Sequence, residues 1–425
     1  MKRFLFAVFA FGASFAITQA QSFKFDLSSA KTAQEGYTKI TETSVFNTET
    51  GYGYDFIPAW DGKSNNPFLF SVNVPDGNYR VTVTLGDKNT AGSTVVRGES
   101  RRLFFEAIET QKGEQKTVSF TINKRNATIK GSTKVKLKDR EKSKLNWDDK
   151  LTLEFNGDAP RVSTITIDRV DNVPTVFLCG NSTVVDQENE PWASWGQMAP
   201  RFFNENVAFA NYAESGLSAD TFLGGRRLDK ALTQMKEGDY VLVEFGHNDQ
   251  KQKGPGKGAY YSFAFYIKQF IDLAREKGAQ PVLITPTCRR RFEKDGKIKN
   301  THGDYPAAIR EIAAREQLPL IDLQEMTITM LEAMGESDSK ALFVHYPMGT
   351  FTCQTKELKD NTHFSTFGAY EVAKCVVEGI KKAGLPLAGE LRPDYKNFNP
   401  ATPDKKGSFK WYLSPFCDME KPAGN

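Results

Sequence analysis

Two rhythms of hydrophobic and polar residues divide this chain. Over roughly residues 22–170 the apolar positions recur at every second residue. Residues 23–27, 68–74, 79–85 and 117–122 all alternate in this way. A period of two is that of a strand with one buried face. Pro75-Asp76-Gly77-Asn78 separates two of these runs and predicts a hairpin turn. Asn156-Gly157, between residues 151–155 and 162–167, predicts a second. No helical period interrupts the segment, so it predicts a β-sandwich. The lysine-rich stretch 134–144 reads as a solvated loop or an edge strand rather than a binding patch.

The rhythm changes after Val173. Short, largely apolar runs at 175–179, 206–211, 240–245, 281–285 and 318–323 predict buried strands. Segments at 192–203, 228–235, 260–277, 307–316, 324–334 and 365–383 carry helical spacing. Strands alternating with helices predict a parallel sheet covered on both faces, an α/β three-layer unit. Five strands fit a flavodoxin-like order. Active sites in such sheets lie beyond the carboxyl ends of the strands. From residue 389 the chain turns polar and proline-rich, and it reads as an extended strap held by Trp411 and Tyr412.

A length of 425 residues suits two domains with a leader and a tail. The boundaries read as 1–20, 21–170, 173–388 and 389–425. Lys2 and Arg3 precede an apolar run that ends at Thr18-Gln19-Ala20, the layout of a secretory signal peptide. The run is too short to span a bilayer of ~30 Å, so a secreted or periplasmic protein with no membrane insertion is expected. The net charge is +4, of which the leader carries two, and gives no reason to expect nucleic acid as a partner. Cys179, Cys288, Cys353, Cys375 and Cys417 are odd in number and far apart, unlike a disulfide framework or a zinc site.

Four polar segments break the α/β pattern, three of them directly after a predicted strand. Gly180-Asn181-Ser182 places a hydroxyl at the end of the first strand. Asn211 to Gly216 follows the second and offers a bare backbone N–H. Gly246-His247-Asn248-Asp249 follows the third and offers a side-chain amide. Asp360-Asn361-Thr362-His363 stands on a loop before the last helix. Each segment alone is an ordinary cap or turn. Together, and in this order, they resemble the SGNH hydrolase superfamily, whose blocks centre on Ser, Gly, Asn and His. The first block of that family usually reads Gly-Asp-Ser, and here Asn181 stands in place of the aspartate.

The resemblance covers residues 173–388 and implies a serine esterase without metal or other cofactor. Ser182 would be the nucleophile, His363 the base and Asp360 its orienting carboxylate. The N–H groups of Ser182 and Gly216 and the amide of Asn248 would hold the oxyanion. Gly-His-Asn-Asp, with Thr285-Pro286, the run Arg289-Arg290-Arg291-Phe292 and Gly296, is similar to rhamnogalacturonan acetylesterases. That likeness implies acetylated pectin, a plant cell-wall polysaccharide, as the substrate. Arg289, Arg290 and Arg291 would meet galacturonate carboxylates through their planar forks.

The N-terminal strands are similar to galactose-binding-like jelly rolls. They supply none of the four blocks, so they are expected to be dispensable for chemistry. No HExxH, EF-hand or GxSxG motif points elsewhere. The competing readings are an SGNH esterase for another ester (xylan acetylesterase, lipase or thioesterase) and a catalytically inactive carbohydrate-binding protein.

Overall fold

The computed structural model describes residues 22–423; the leader read at 1–20 lies outside them. The N-terminal region is built of β1 (Ser22–Asp26), β2 (Phe68–Asn73), β3 (Gly77–Leu85), β4 (Gly92–Gly98), β5 (Arg102–Thr110), β6 (Lys116–Lys124), β7 (Lys150–Ala159) and β8 (Val162–Arg169). Its strands form because every second side chain finds an apolar partner. Tyr79, Val81, Val83 and Leu85 of β3 are fully buried. They meet Phe68, Phe70, Val72, Leu151, Leu153 and Phe155 of the facing sheet in one core. On the opposite face of β3, Thr82 and Thr84 bond Ser119 and Thr117 of β6 at 2.9 and 3.1 Å.

Both expected hairpins are instead arches. β2 pairs with β7 in a five-stranded sheet, whereas β3 pairs with β6 and β8 in another. β7 and β8 likewise belong to different sheets. Two alternating runs joined by a tight turn can lie edge to edge or face to face, and their local pattern is the same. Tertiary contacts decide here. Asp76 in the first turn accepts from the Asn126 N–H at 2.8 Å and from Lys230 Nζ at 2.5 Å. A hairpin does form between β4 and β5. Its tip, Glu99-Ser100-Arg101, is buried, and Glu99 and Arg101 take positive φ of 52° and 61°.

The C-terminal half carries β9 (Thr175–Gly180), β10 (Ala208–Asn211), β11 (Tyr240–Glu244), β12 (Gln280–Ile284) and β13 (Leu320–Ile321). They pair in parallel in the order β10-β9-β11-β12-β13, the flavodoxin-like 2-1-3-4-5. Side chains of β9 alternate between two apolar cores. Val176 and Leu178 face one, which is closed by α3 (Leu323–Asp338) and α4 (Thr366–Lys382). Phe177 and Cys179 face the other, closed by α1 (Ala264–Glu276) and α2 (Tyr305–Arg315). A strand buried on both faces must be apolar throughout, as the sequence of β9 is. The helix expected at 192–203 shrinks to Trp195–Met198 followed by a 3₁₀ turn, because Pro200 has no N–H to donate. Among the described residues no helix is long and apolar enough to cross a membrane.

The two halves share one sheet. β10 also pairs in parallel with β6 (Ala208 with Thr121, Phe209 with Ile122), giving ten strands in continuous order. Buried arginines reinforce the seam. Arg102 donates to Asp186 Oδ2 at 3.0 and 2.8 Å and to the Phe209 carbonyl at 3.2 Å. Arg101 meets Glu190 at 2.7 Å and donates to the carbonyls of Gln187 and Trp192. Arg125 lies between the rings of Trp147 and Tyr212, 4.4 Å from each, and donates to the Asn211 carbonyl.

The tail returns to the same seam. Trp411 Nε1 donates to Glu190 at 2.7 Å, the Arg97 guanidinium stacks on the Trp411 ring at 3.6 Å, and Tyr412 donates to Asp158 at 2.7 Å. Of the five cysteines, too few for a framework, Cys353 and Cys417 are bonded and tie the tail to the C-terminal half; Cys179, Cys288 and Cys375 are free and buried.

These contacts argue against the expectation that the C-terminal half works without the N-terminal region. A chain beginning at Asp171 would leave β10 without its β6 neighbour and Asp186 buried without its cation. It should fail to give a cooperative melt. Arg102→Leu in the full chain should lower stability by about 3–5 kcal/mol, since it strands the Asp186 carboxylate; urea unfolding followed by tryptophan fluorescence measures it.

Candidate active site

The carboxyl ends of β9, β10 and β11 gather three of the four polar segments. Ser182 sits in the turn after β9. The turn is wound around Asn181, whose carbonyl accepts the N–H groups of Val184 and Val185 at 3.1 and 3.0 Å. The Asn181 side chain accepts the Thr183 N–H at 3.1 Å. Thus the residue that departs from the usual Gly-Asp-Ser still performs a turn-forming role. The Ser182 carbonyl is held from behind by Ser194 Oγ at 2.6 Å and Gln187 Nε2 at 3.1 Å. Beneath the turn lies Glu244, the last residue of β11. It contacts Thr183 Oγ1 at 2.8 Å and Trp195 Nε1 at 2.5 Å, and burial pushes its carboxyl up to about 7. A glutamate closing the otherwise apolar run Tyr240-Val-Leu-Val was the signal for this residue in the sequence.

His363 arrives from a different direction. The Asp360–His363 block, expected on a loop, lies within a strand, β15 (Leu358–Phe364), paired antiparallel with β14 (Phe343–Tyr346). His363 Nε2 is 3.0 Å from Ser182 Oγ, and His363 Nδ1 is 2.8 Å from Asp360 Oδ2. With Nδ1–H donated to the carboxylate, Nε2 is left to accept the serine proton. Asp360 Oδ1 also accepts the N–H groups of Thr362 and His363 at 2.7 and 3.0 Å. Burial works to raise the Asp360 carboxyl, but the bonds from His363 and the backbone outweigh it and hold the group well below the usual carboxylate range. Asp360 therefore stays ionised beside the imidazole.

The groups expected to serve as oxyanion donors have N–H bonds to spare. Gly216 adopts φ +81°, a conformation that favours glycine. Among the described residues, the N–H groups of Ser182 and Gly216 donate to no protein atom. Asn248 spends one amide hydrogen on the Leu217 carbonyl at 2.9 Å, and its oxygen accepts from Lys251 Nζ at 3.2 Å. These two bonds fix the amide, and its second hydrogen is given no acceptor among the described residues.

His247, beside Asn248, plays a different part. Arg289 can only donate, and it bonds His302 Nε2 at 3.1 Å; His247 Nδ1 lies 3.0 Å from the same nitrogen and Thr287 Oγ1 3.2 Å from His247 Nε2. These contacts hold the His247 ring in a buried polar cluster with Thr287 and His302, away from the Ser182 proton. Burial, then His302, Arg289 and His363, hold the His247 imidazole far below its ordinary range, so it stays neutral.

The arginine run does not form a carboxylate receptor. Arg290 is buried and donates to Ser339 Oγ and Asn361 Oδ1, both at 3.1 Å, so it braces the β15 block. Arg289 is committed to Thr301, His302 and the His247 carbonyl. Arg291 is exposed. Consecutive residues in an extended segment point in different directions, which the run of three could not reveal.

The lysine-rich stretch, by contrast, reaches the site. Arg140 and Lys144 bond opposite oxygens of the buried Glu214 at 2.7 and 2.9 Å, and Lys138 donates to the Ser215 carbonyl at 2.6 Å. Glu214 and Ser215 are the residues just before Gly216. The tail closes the other side: Lys421 Nζ lies 3.3 Å from Asp360 Oδ2, and the Ala423 side chain lies 2.9 Å from where a Cβ on Gly216 would stand.

The profile of the GDSL-like Lipase/Acylhydrolase family matches residues 178–365. The chain is 43% identical over 218 residues to a rhamnogalacturonan acetylesterase of Bacillus subtilis (strain 168), covering 51% of this chain and 93% of that protein. It is 25% identical over 419 residues to an uncharacterised esterase of the same organism, covering 91% of this chain and 99% of that one. A Bacillus subtilis crystal structure aligns over 86% of this chain and 99% of its own, with 24% identity and a TM-score of 0.47.

Ser182→Ala and His363→Ala should each abolish hydrolysis of an aryl acetate while leaving the melting curve in place. Asn248→Ala should lower kcat by roughly 10²–10³-fold with little change in KM, because the donor matters most once the oxygen carries charge. Steady-state kinetics checked against thermal melts tests all three, and full kcat in a folded Asn248→Ala would remove it from the oxyanion hole.

Proposed function

The chain belongs to the GDSL-like lipase/acylhydrolase family and is a carboxylic ester hydrolase, and from that premise we propose that it is a secreted serine esterase that removes acetyl groups from rhamnogalacturonan. The observation that carries the chemistry is the unbroken hydrogen-bonded chain from Ser182 through His363 to Asp360. His363 Nε2 takes the serine proton as Oγ attacks the acetyl carbonyl carbon. The negative charge that moves onto the carbonyl oxygen is met by the N–H groups of Ser182 and Gly216 and by the Asn248 amide. As the tetrahedral intermediate collapses, His363 returns its proton to the departing sugar oxygen, leaving an acetyl-serine. Water, deprotonated by the same imidazole, then releases acetate and restores Ser182. Asp360 stays ionised throughout and stabilises the imidazolium that forms twice per turnover.

The substrate assignment is supported by the 43% identity to a rhamnogalacturonan acetylesterase along nearly its whole length. In this reading the leader at 1–20 directs export, where plant polysaccharide is met. The N-terminal strands form a galactose-binding-like jelly roll that has become part of the enzyme body.

Acetate release from acetylated rhamnogalacturonan should exceed that from acetylated xylan at least tenfold at equal ester concentration, a preference of about 1.4 kcal/mol. Equal rates on the two polymers, measured with an acetate-coupled assay, would remove the pectin assignment and leave the esterase intact.

A further inference from the structure

Beside the catalytic residues lies a cavity of about 240 Å³ whose walls come largely from outside the family-matched segment. Arg140 and Lys144 of the N-terminal region form one side, Lys421 of the tail another, and Gln187, Trp192 and Ser215 lie between them. Its place next to the chemistry is fixed twice. The Trp192 ring packs edge-on to the His363 imidazole at 5.9 Å, and Ser215 immediately precedes Gly216.

The charge on the N-terminal wall is unbalanced. Lys138, Arg140 and Lys144 converge on Glu214 and Ser215, three cations around a single carboxylate. Arg227 does not alter this sum, since it is paired with its own carboxylate, Glu141. Glu188, which lines the cavity, is pushed up to about 7 by burial, so near neutral pH it offsets only part of one charge. Asp418 and Glu420 also line it but are exposed, where water screens their charge, whereas the Lys144 and Glu214 side chains are 10% and 1% exposed.

One donor on this wall is unspent, and so is one on the residues between the walls. Arg140 uses Nε and Nη2 on Glu214 and Ser215, while Nη1 bonds nothing among the described residues. Trp192 Nε1, in a residue 3% exposed, also lacks an acceptor. A guanidinium held in place by one carboxylate, with its Nη1 still unspent, can donate to another carboxylate.

We propose that this cavity is a uronate subsite, in which Arg140 reads the carboxylate of a galacturonate residue and so sets the enzyme's preference for an acidic polymer. The inference deepens the pectin reading and rests on it, but assigns recognition to the lysine-rich stretch of the N-terminal region and not to the arginine run. Arg140 is a specificity residue, and the chemistry at Ser182 does not pass through it.

The test uses the full chain, an aryl acetate as reporter, and trigalacturonate or its carboxyl-reduced neutral counterpart as competing ligand. Trigalacturonate should inhibit the wild-type enzyme at a concentration at least about tenfold lower than the neutral ligand, the scale of one charge-assisted bond. Arg140→Gln should bring that ratio close to one, and Arg140→Lys should recover part of it. If Arg140→Gln does not fold, Ser143→Glu, which places a negative charge on an exposed position of the same wall, should reduce the ratio too. A wild-type ratio near one overturns the proposal, as does a ratio unchanged in a folded Arg140→Gln or in Ser143→Glu. Acetate release from the polymer is measured in parallel. Charge-selective inhibition without release would retain the subsite and sink the pectin reading, and release without charge selectivity would do the reverse.

Discussion

Arg102 is wholly out of water, and its position is the constraint from which much of the molecule follows. A buried guanidinium is tolerated only where an opposite charge and several acceptors surround it. Here they come from the hydrolase half: Asp186 from the turn after Ser182, and the Phe209 carbonyl from β10. The N-terminal strands therefore cannot dock anywhere else without stranding a charge. Asp186 in turn accepts from Asn211 Nδ2 at 2.8 Å, and that amide also bonds the Val184 carbonyl at 2.7 Å. The same polar network that joins the two halves thus fixes the loop that presents the nucleophile.

Much of the catalytic half was legible in the chain because a strand buried on both faces announces itself as an unbroken apolar run, and because polar segments directly after such runs have little to do except line the active edge. Ser182, Gly216 and Asn248 stand out for that reason, and His363 by its place beside Asp360 just before the last helix. The β15 strand was not legible, since Leu358-Lys-Asp-Asn-Thr-His-Phe has neither apolar continuity nor clean alternation. It is held as a strand by its pairing with β14 and by Arg290, contacts distant in sequence. The arches failed for a related reason: the pattern of a strand specifies which face is apolar and not which sheet receives it.

The charged stretches were the least readable. Three adjacent arginines suggested a receptor and turned out to diverge, with one of them serving as a brace. A scatter of lysines and one arginine over 134–144 suggested a solvated edge, yet Glu141 of that stretch is fully buried against Arg227. Charge recognition depends on where guanidinium and ammonium groups converge in space. In this chain the carboxylate that gathers them, Glu214, lies some seventy residues from the cations it organises. Only the fold brings them to one wall of the cleft.

The joined sheet has one more consequence. An open parallel sheet ends in a strand whose outward N–H and C=O groups are unpaired, and such an edge is a template for another chain. In the hydrolase half β10 would be that strand. Its pairing with β6 turns a free margin into an interior position, and the sheet's boundary moves outward to the short strand Thr38–Lys39. Two residues of strand there offer little length for a stranger to copy. The N-terminal region thus guards its neighbour against self-association, a service that would remain even if it bound no sugar at all.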